Sequence, residues 1–275
     1  MKNKFIIIFF MFLINLSFSG LLKAEEFLFE VTDVEIIENG DIYKGNNRGK
    51  ITTDSLIELT SDNFEYLKKI NRLEANGNVQ VIDIKNDLII NAEKIFYLKD
   101  KEIIYTVGKT LINVSNKYNI KGFNLTLLKN DMILLSKERA SITDTDSNIY
   151  KLSNFQYLID KEVLKGEKIE ITTKLGQYDS DKYFFETGFF NLKEDKFLAK
   201  DINVKLHKKL FDDDENDPRI NAVSGYGEEF VSTFNKGVFT SCKKTDKCPP
   251  WKIVANKVKH DKIKRQLVYT NAWLE

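Results

Sequence analysis

The chain has 275 residues, with 42 Lys and Arg against 41 Asp and Glu and a formal net charge of +1. A balance that close gives no electrostatic footprint for nucleic acid, and with 3 Pro and no low-complexity linker there is no obvious place to divide the chain. The length suits one large all-β domain or two smaller ones.

Lys2 and Lys4 precede an apolar run, Phe5–Phe18, and small residues follow before Ala24 and the pair Glu25-Glu26. These are the charged, apolar and cleavage regions of a secretory signal. Residues 1–24 are therefore read as a signal peptide and 25–275 as the exported domain. Leu22, three residues back from Ala24, is not the ideal small residue. The run is short for a membrane-spanning helix, and no Cys near the cleavage point marks a lipid anchor.

The stretch Leu73–Val107 sets the pattern for the rest. Ala75-Asn76-Gly77-Asn78-Val79 reads as a Gly-centred hairpin turn, because Asn-Gly supplies the positive φ such turns need. Strands are expected around Leu88–Ala92 and Ile95–Leu98, then Ile103–Val107 after the charged turn Lys99-Asp100-Lys101-Glu102. Charged or Asn-bearing turns recur at Lys68-Lys69, Asp100-Lys101, Asn130-Asp131, Asp160-Lys161 and Glu194-Asp195, with Asp261-Lys262 standing further off. Spacing of this kind signals a repeat whose units cannot bury their apolar faces alone.

The strands beside these turns alternate. Phe123, Leu125 and Leu127 interleave with Asn124 and Thr126; Phe155, Tyr157 and Ile159 flank Gln156 and Leu158; Ile202, Val204 and Leu206 oppose Asn203 and Lys205. Period-two alternation puts one face in the core and the other in water. No later segment shows a helical stripe, so the expected fold is all-β, antiparallel and built from hairpins. Two splayed sheets of this kind enclose an apolar trough suited to acyl chains, which gain on the order of 0.8 kcal/mol per buried CH₂. The competing form is a closed sandwich core.

Nothing in the sequence assembles a catalytic centre, and no enzyme activity and no cofactor are expected. Phe211–Arg219 is an acidic loop without the ligand spacing or central Gly of a calcium loop. His207 and His260 sit among lysines and read as surface histidines, and Gly225-Tyr226-Gly227 reads as a turn or bulge. Cys242 and Cys248 with His260 make a possible zinc set, but an exported chain favours a disulfide. No metal site is expected.

Two sets of residues carry a family resemblance. Ala75-Asn76-Gly77-Asn78-Val79 followed by Ala92-Glu93-Lys94-Ile95-Phe96-Tyr97 resembles the A-x-G-x-V … A-x-x-I-x-Y pattern of the OstA-like domains of lipopolysaccharide transport. Pro218-Arg219-Ile220, Gly237–Cys242, Cys248-Pro249-Pro250-Trp251 and Tyr269–Glu275 follow in the order seen in the periplasmic domain of LptD-type assembly proteins. The resemblance implies an elongated β-jellyroll in the periplasm, associated with the outer membrane. It also implies passage of lipopolysaccharide acyl chains through the interior, lined by the Phe123, Phe155 and Ile202 sets above. The implied partners are an upstream periplasmic bridge protein, received at an edge strand near Val34 and Ile36, and an outer-membrane barrel with its lipoprotein plug. No barrel follows Glu275 in this sequence, which leaves delivery to the outer leaflet in doubt for this chain alone. The cysteines keep two readings: a local Cys242–Cys248 bridge, or, as the resemblance implies, pairing with partners in a barrel. A non-conducting β-repeat scaffold and a stand-alone bridge protein remain as other functions.

Overall fold

The structure, a computed structural model, describes residues 27–53, 55–175, 177, 180–208, 216–243, 245 and 250–275. The expected signal peptide thus lies outside the described residues. The described chain is all-β, with nineteen strands and four single 3-10 turns. They run β1 (Leu28–Ile37), β2 (Ile42–Thr52), β3 (Ile57–Ser61), β4 (Asn63–Leu67), β5 (Arg72–Asp83), β6 (Leu88–Leu98) and β7 (Ile103–Val114). Next come β8 (Tyr118–Phe123), β9 (Thr126–Leu128), β10 (Ile133–Ser136), β11 (Ala140–Thr143), β12 (Ile149–Leu158) and β13 (Val163–Thr172). The last are β14 (Lys182–Asn191), β15 (Lys196–Lys205), β16 (Arg219–Glu228), β17 (Val231–Thr240), β18 (Ile253–Asp261) and β19 (Gln266–Leu274).

Every ladder among the described residues is antiparallel, and once short half-strands are merged each joins neighbours along the chain, with β9 pairing β10 and β8 pairing β11. Three positions hold two half-strands in line: β3 and β4 both pair with β2 and β5, β8 and β9 both pair with β7, and β10 and β11 both pair with β12. The result is one long meander with two rows of turns. The first row includes the 3-10 turns at Lys68–Ile70, Lys99–Lys101 and Ile159–Lys161, each closed by a left-handed residue: Asn71, Glu102 and Glu162, at φ 44, 50 and 51. The charged dipeptides singled out in the sequence fall in this row. It also turns at Glu38–Gly40 and at Glu229-Phe230, and the second of these fills the gap that made Asp261-Lys262 stand apart.

The Asn-Gly stretch behaves differently from expectation. Asn76-Gly77-Asn78 does not reverse the chain; it is a bulge inside β5, where the register slips between Asn76 and Val79. Gly77 does take positive φ, at 78°, but the strand continues because Val79, Val81 and Asp83 go on pairing with β6. Likewise β6 is a single strand with a slip between Ala92 and Lys94, not two strands. Comparable breaks recur at mid-strand with left-handed residues: Asn124, Asn154, Lys168, Asp201 and Lys236. A bulge bends its strand and increases the local twist.

That bending decides the architecture. A straight ten-residue strand spans roughly 30 Å or more, which would hold the two rows of turns apart. Instead they touch. Lys99 of the first row lies 3.5 Å from Ser55 Oγ of the second, and Glu162 of the first accepts hydrogen bonds from Lys117 (3.0 Å) and Tyr118 (2.8 Å) of the second. Towards the C-terminus, Lys262 stands 5.5 Å over the Tyr183 ring. The sheet therefore curls over at its bulges and closes along a seam of side chains, around one apolar cluster that runs from Phe27 to Val258.

Close packing explains Gly225-Tyr226-Gly227, which is neither turn nor bulge but the regular second half of β16. A Cβ at Gly225 would stand 2.7 Å from Ile202 and 2.9 Å from Phe234, and one at Gly227 would stand 2.3 Å from Phe197. The glycines make room for neighbouring rings.

Candidate functional site

Eight of the nine residues expected to line the interior are buried there: Leu125, Leu127, Phe155, Tyr157, Ile159, Ile202, Val204 and Leu206. Phe123 is the exception. It is 50 % exposed on the outer wall, because Asn124 at φ 51 adds a residue between β8 and β9 and reverses the alternation. The bulge is stitched on both sides: the Gly108 N–H donates to Asn124 Oδ1 and the Leu125 N–H donates to Thr106 Oγ1, each at 2.9 Å. Tyr118, Ile120 and Gly122 point inward before it, and Leu125 and Leu127 after it. The inward face that the sequence placed at Phe123 belongs to Gly122. Asn124 and Gln156 lie on the outside, as the alternation implied.

A cleft of about 380 Å³ opens at the seam, between Lys85–Asp87 and Ser115–Tyr118 on one row and Ile159–Glu162 on the other, with Tyr157 at its wall. Burial pushes the Glu162 carboxyl up, but the hydrogen bonds from Lys117 and Tyr118 outweigh it and hold the group below the usual carboxylate range. Burial, then the bond to Glu162, raises the Tyr118 phenol well above its usual value. Tyr157 packs edge-on against Tyr118 with ring centroids 5.8 Å apart. Its own hydroxyl is buried without a hydrogen-bond partner.

A second polar group lies at the C-terminal part of the seam. His260 is buried, not at the surface as its lysine neighbours suggested, and its Nδ1 has no partner. It is an inward residue of β18, in the same file as Ala255 and Val258 once a mid-strand break is allowed for. Burial lowers its pKa to about 4; Asp181 and Asp261 oppose the shift, and Lys262 and His207 add to it. His207 is half-buried, with its Nδ1 and its backbone N–H both 2.9 Å from Asp181 Oδ1. Ser232, also buried, stands directly across the ladder from His260, and among the described residues no group of three His, Cys, Asp or Glu is placed to hold a metal ion.

Cys242 is buried at the end of β17, with Sγ 3.6 Å from the Trp251 carbonyl and its own carbonyl accepting from Arg219. Cys248 lies outside the described residues, as does the acidic core of the Phe211–Arg219 loop, so neither the bridge nor the loop has a structural account. Val34 and Ile36 sit on β1, whose ladder among the described residues runs to β2 alone, and are 42 % and 59 % exposed. At the other end β19 pairs with β18 alone. Among the described residues, β1 and β19 are thus the edge strands of the sheet, and an edge strand can accept a further strand. No protein-family model and no curated protein matches the sequence.

Proposed function

We propose that the chain is a periplasmic lipopolysaccharide-transport and assembly domain, an OstA-like β-jellyroll that passes acyl chains along its apolar interior towards the outer membrane. One observation supports the reading: bent antiparallel strands enclose one continuous apolar cluster, and among the described residues the first and last strands each pair on one side only. In this reading the β1 edge, with Val34 and Ile36, receives an upstream bridge protein, and the β19 edge faces an outer-membrane barrel and its lipoprotein plug. The same stack would serve a stand-alone bridge protein. Acyl chains enter by parting the seam, where the rows of turns meet through side chains such as Lys117 and Glu162.

A second reading has its own support. Leu73, Leu134, Leu152, Leu164, Val204 and Phe234 are fully buried, and an interior this well filled also suits a non-conducting scaffold. Photocrosslinking in cells separates the two. A photoreactive residue at Leu125 or Tyr157 captures lipopolysaccharide if the interior conducts, and one at Asn124 or Gln156 does not. Equal capture from both sets, or capture from neither, favours the scaffold.

A further inference from the structure

The outer wall of the C-terminal third departs from the polar character expected of a water-facing surface. Phe189, Leu198 and Tyr226 are directly cross-strand to one another on β14, β15 and β16, and they are 50, 58 and 48 % exposed. Residues directly opposite on adjacent strands stand side by side, so the three form one apolar band. The turns beside this band are also apolar at their tips. Phe230 is 44 % and Ile263 70 % exposed, and the two turns are joined by the Lys262 N–H donating to the Phe230 carbonyl at 2.9 Å.

Basic residues frame the band. Lys165 reaches over the Phe189 ring at 5.3 Å, Lys200 is exposed beside Leu198, Lys259 is exposed opposite Thr233, and Lys264 and Arg265 are exposed beside Ile263. Of the carboxylates nearby, Glu194 and Glu228 both face Lys196, at 3.2 and 3.8 Å. Asp195 and Glu229 are exposed at the turns and Glu167, Glu186 and Asp201 on the strands, but with Lys168, Lys193, Lys236 and Lys257 also exposed there the cations of this wall outnumber them. An exposed apolar patch with a cationic rim marks an interaction surface. Apolar tips that enter the acyl boundary, with Lys and Arg stems reaching to headgroups, are the chemistry of attachment to an anionic bilayer.

We propose that this wall, from the Phe189–Leu198–Tyr226 band to the Phe230 and Ile263 turns, rests on an anionic phospholipid surface. The charge complementarity of the rim selects that occupant over a neutral apolar partner. The inference stands apart from lipid passage through the interior, since a closed scaffold with this outer wall would bind the same surface.

Co-flotation of the purified full chain with vesicles tests it. Binding is expected to vesicles of phosphatidylcholine with a minority of phosphatidylglycerol, to fade at high salt, and to be absent with phosphatidylcholine alone. Lys264→Gln combined with Arg265→Gln should weaken partitioning roughly thirtyfold at low salt, since each cation near such a surface contributes about a factor of five. Leu198→Ser with Ile263→Ser should weaken it further without altering the far-ultraviolet spectrum. Leu56→Ser with Ile84→Ser, at similarly exposed turns of the N-terminal third, should leave it unchanged. Absence of binding, equal binding to both vesicle types, or equal loss from the Leu56/Ile84 pair would overturn the proposal. A partner protein that captures the chain through Leu198 while vesicles do not would overturn it as well.

Discussion

Lys117 and Glu162 are 45 positions apart in sequence and 3.0 Å apart in space, one from each row of turns. Their contact belongs to no backbone ladder. It reports how far the sheet has curled, and with the Tyr118 phenol on the other carboxylate oxygen it ties the two rows together.

Glu162→Gln keeps an acceptor for Tyr118 but removes the charge that Lys117 meets. Because Lys117 is largely exposed, the expected loss is modest, about 0.5–1 kcal/mol. The folded carboxyl titrates below its unfolded value. Its stabilisation is therefore complete above the unfolded pKa and is lost as pH falls through the lower folded value. Urea midpoints of wild type and variant should converge in acid and separate at neutral pH; a constant gap would refute the assignment.

His260 also costs stability in acid, but because burial disfavours its charged form. Its folded pKa is about 4 against 6.5 unfolded, so the unfolded chain takes up the proton first. Stability should fall as pH drops from 6.5 towards 4 and then level off, by about 3 kcal/mol at most. His260→Leu should remove this slope while Asp181, His207, Asp261 and Lys262 stay in place. An unchanged slope in denaturation at pH 7.5 and 4.5 would assign it to one of those neighbours instead.

Two buried tyrosines should respond differently to loss of their hydroxyls. Tyr97 donates to Glu102 at 2.7 Å, and Tyr97→Phe should cost about 1 kcal/mol. Tyr157 has no such partner, so Tyr157→Phe should be neutral or stabilising. Chemical denaturation of the pair checks the contrast directly.

Leu125→Asp and Phe123→Asp test the bulge between β8 and β9. The first buries an unpaired carboxylate and should unfold a closed core; in a conducting interior it should leave the circular dichroism intact and block transport. The second changes an outward residue and should shift stability by less than about 1 kcal/mol. Similar damage from both would mean that Phe123 faces inward after all.

At the β1 edge, Val34→Pro or Ile36→Pro removes a backbone donor. Capture of an upstream strand-adding partner in a pull-down should weaken while the fold is retained. Undiminished capture by a folded variant would move the docking edge elsewhere.

The first row of turns was legible in the sequence because it needs a particular chemistry. The turns at Lys68–Ile70, Lys99–Lys101 and Ile159–Lys161 each end on a left-handed residue beside exposed charges, as at Asp100-Lys101-Glu102 and Asp160-Lys161-Glu162. The inward files were legible wherever alternation ran unbroken, as from Ile202 to Leu206. Mid-strand bulges were the obscure feature. Asn76-Gly77 satisfies the φ demands of a bulge as well as those of a hairpin, and only pairing partners far along the chain decide between them. The same ambiguity at Asn124 put Phe123 on the wrong face. His260 was misread because its flanking lysines, Lys257 and Lys259, point outward from a strand whose inward file includes it. The seam could not be read at all, since it joins residues that no local pattern connects.

The meander has a kinetic consequence. Each strand or pair of half-strands completes its ladder with the layer made just before it, so little loop-closure entropy is spent at any step. A chain emerging from its N-terminus can lay down hairpin upon hairpin, as repeat arrays grow by nearest-neighbour addition. The seam bonds, such as Lys117 to Glu162, join positions two hairpins apart and form only after the intervening strands are in place. Folding would then proceed as a zipper with a delayed clasp, each newly added edge briefly open to whatever strand arrives next.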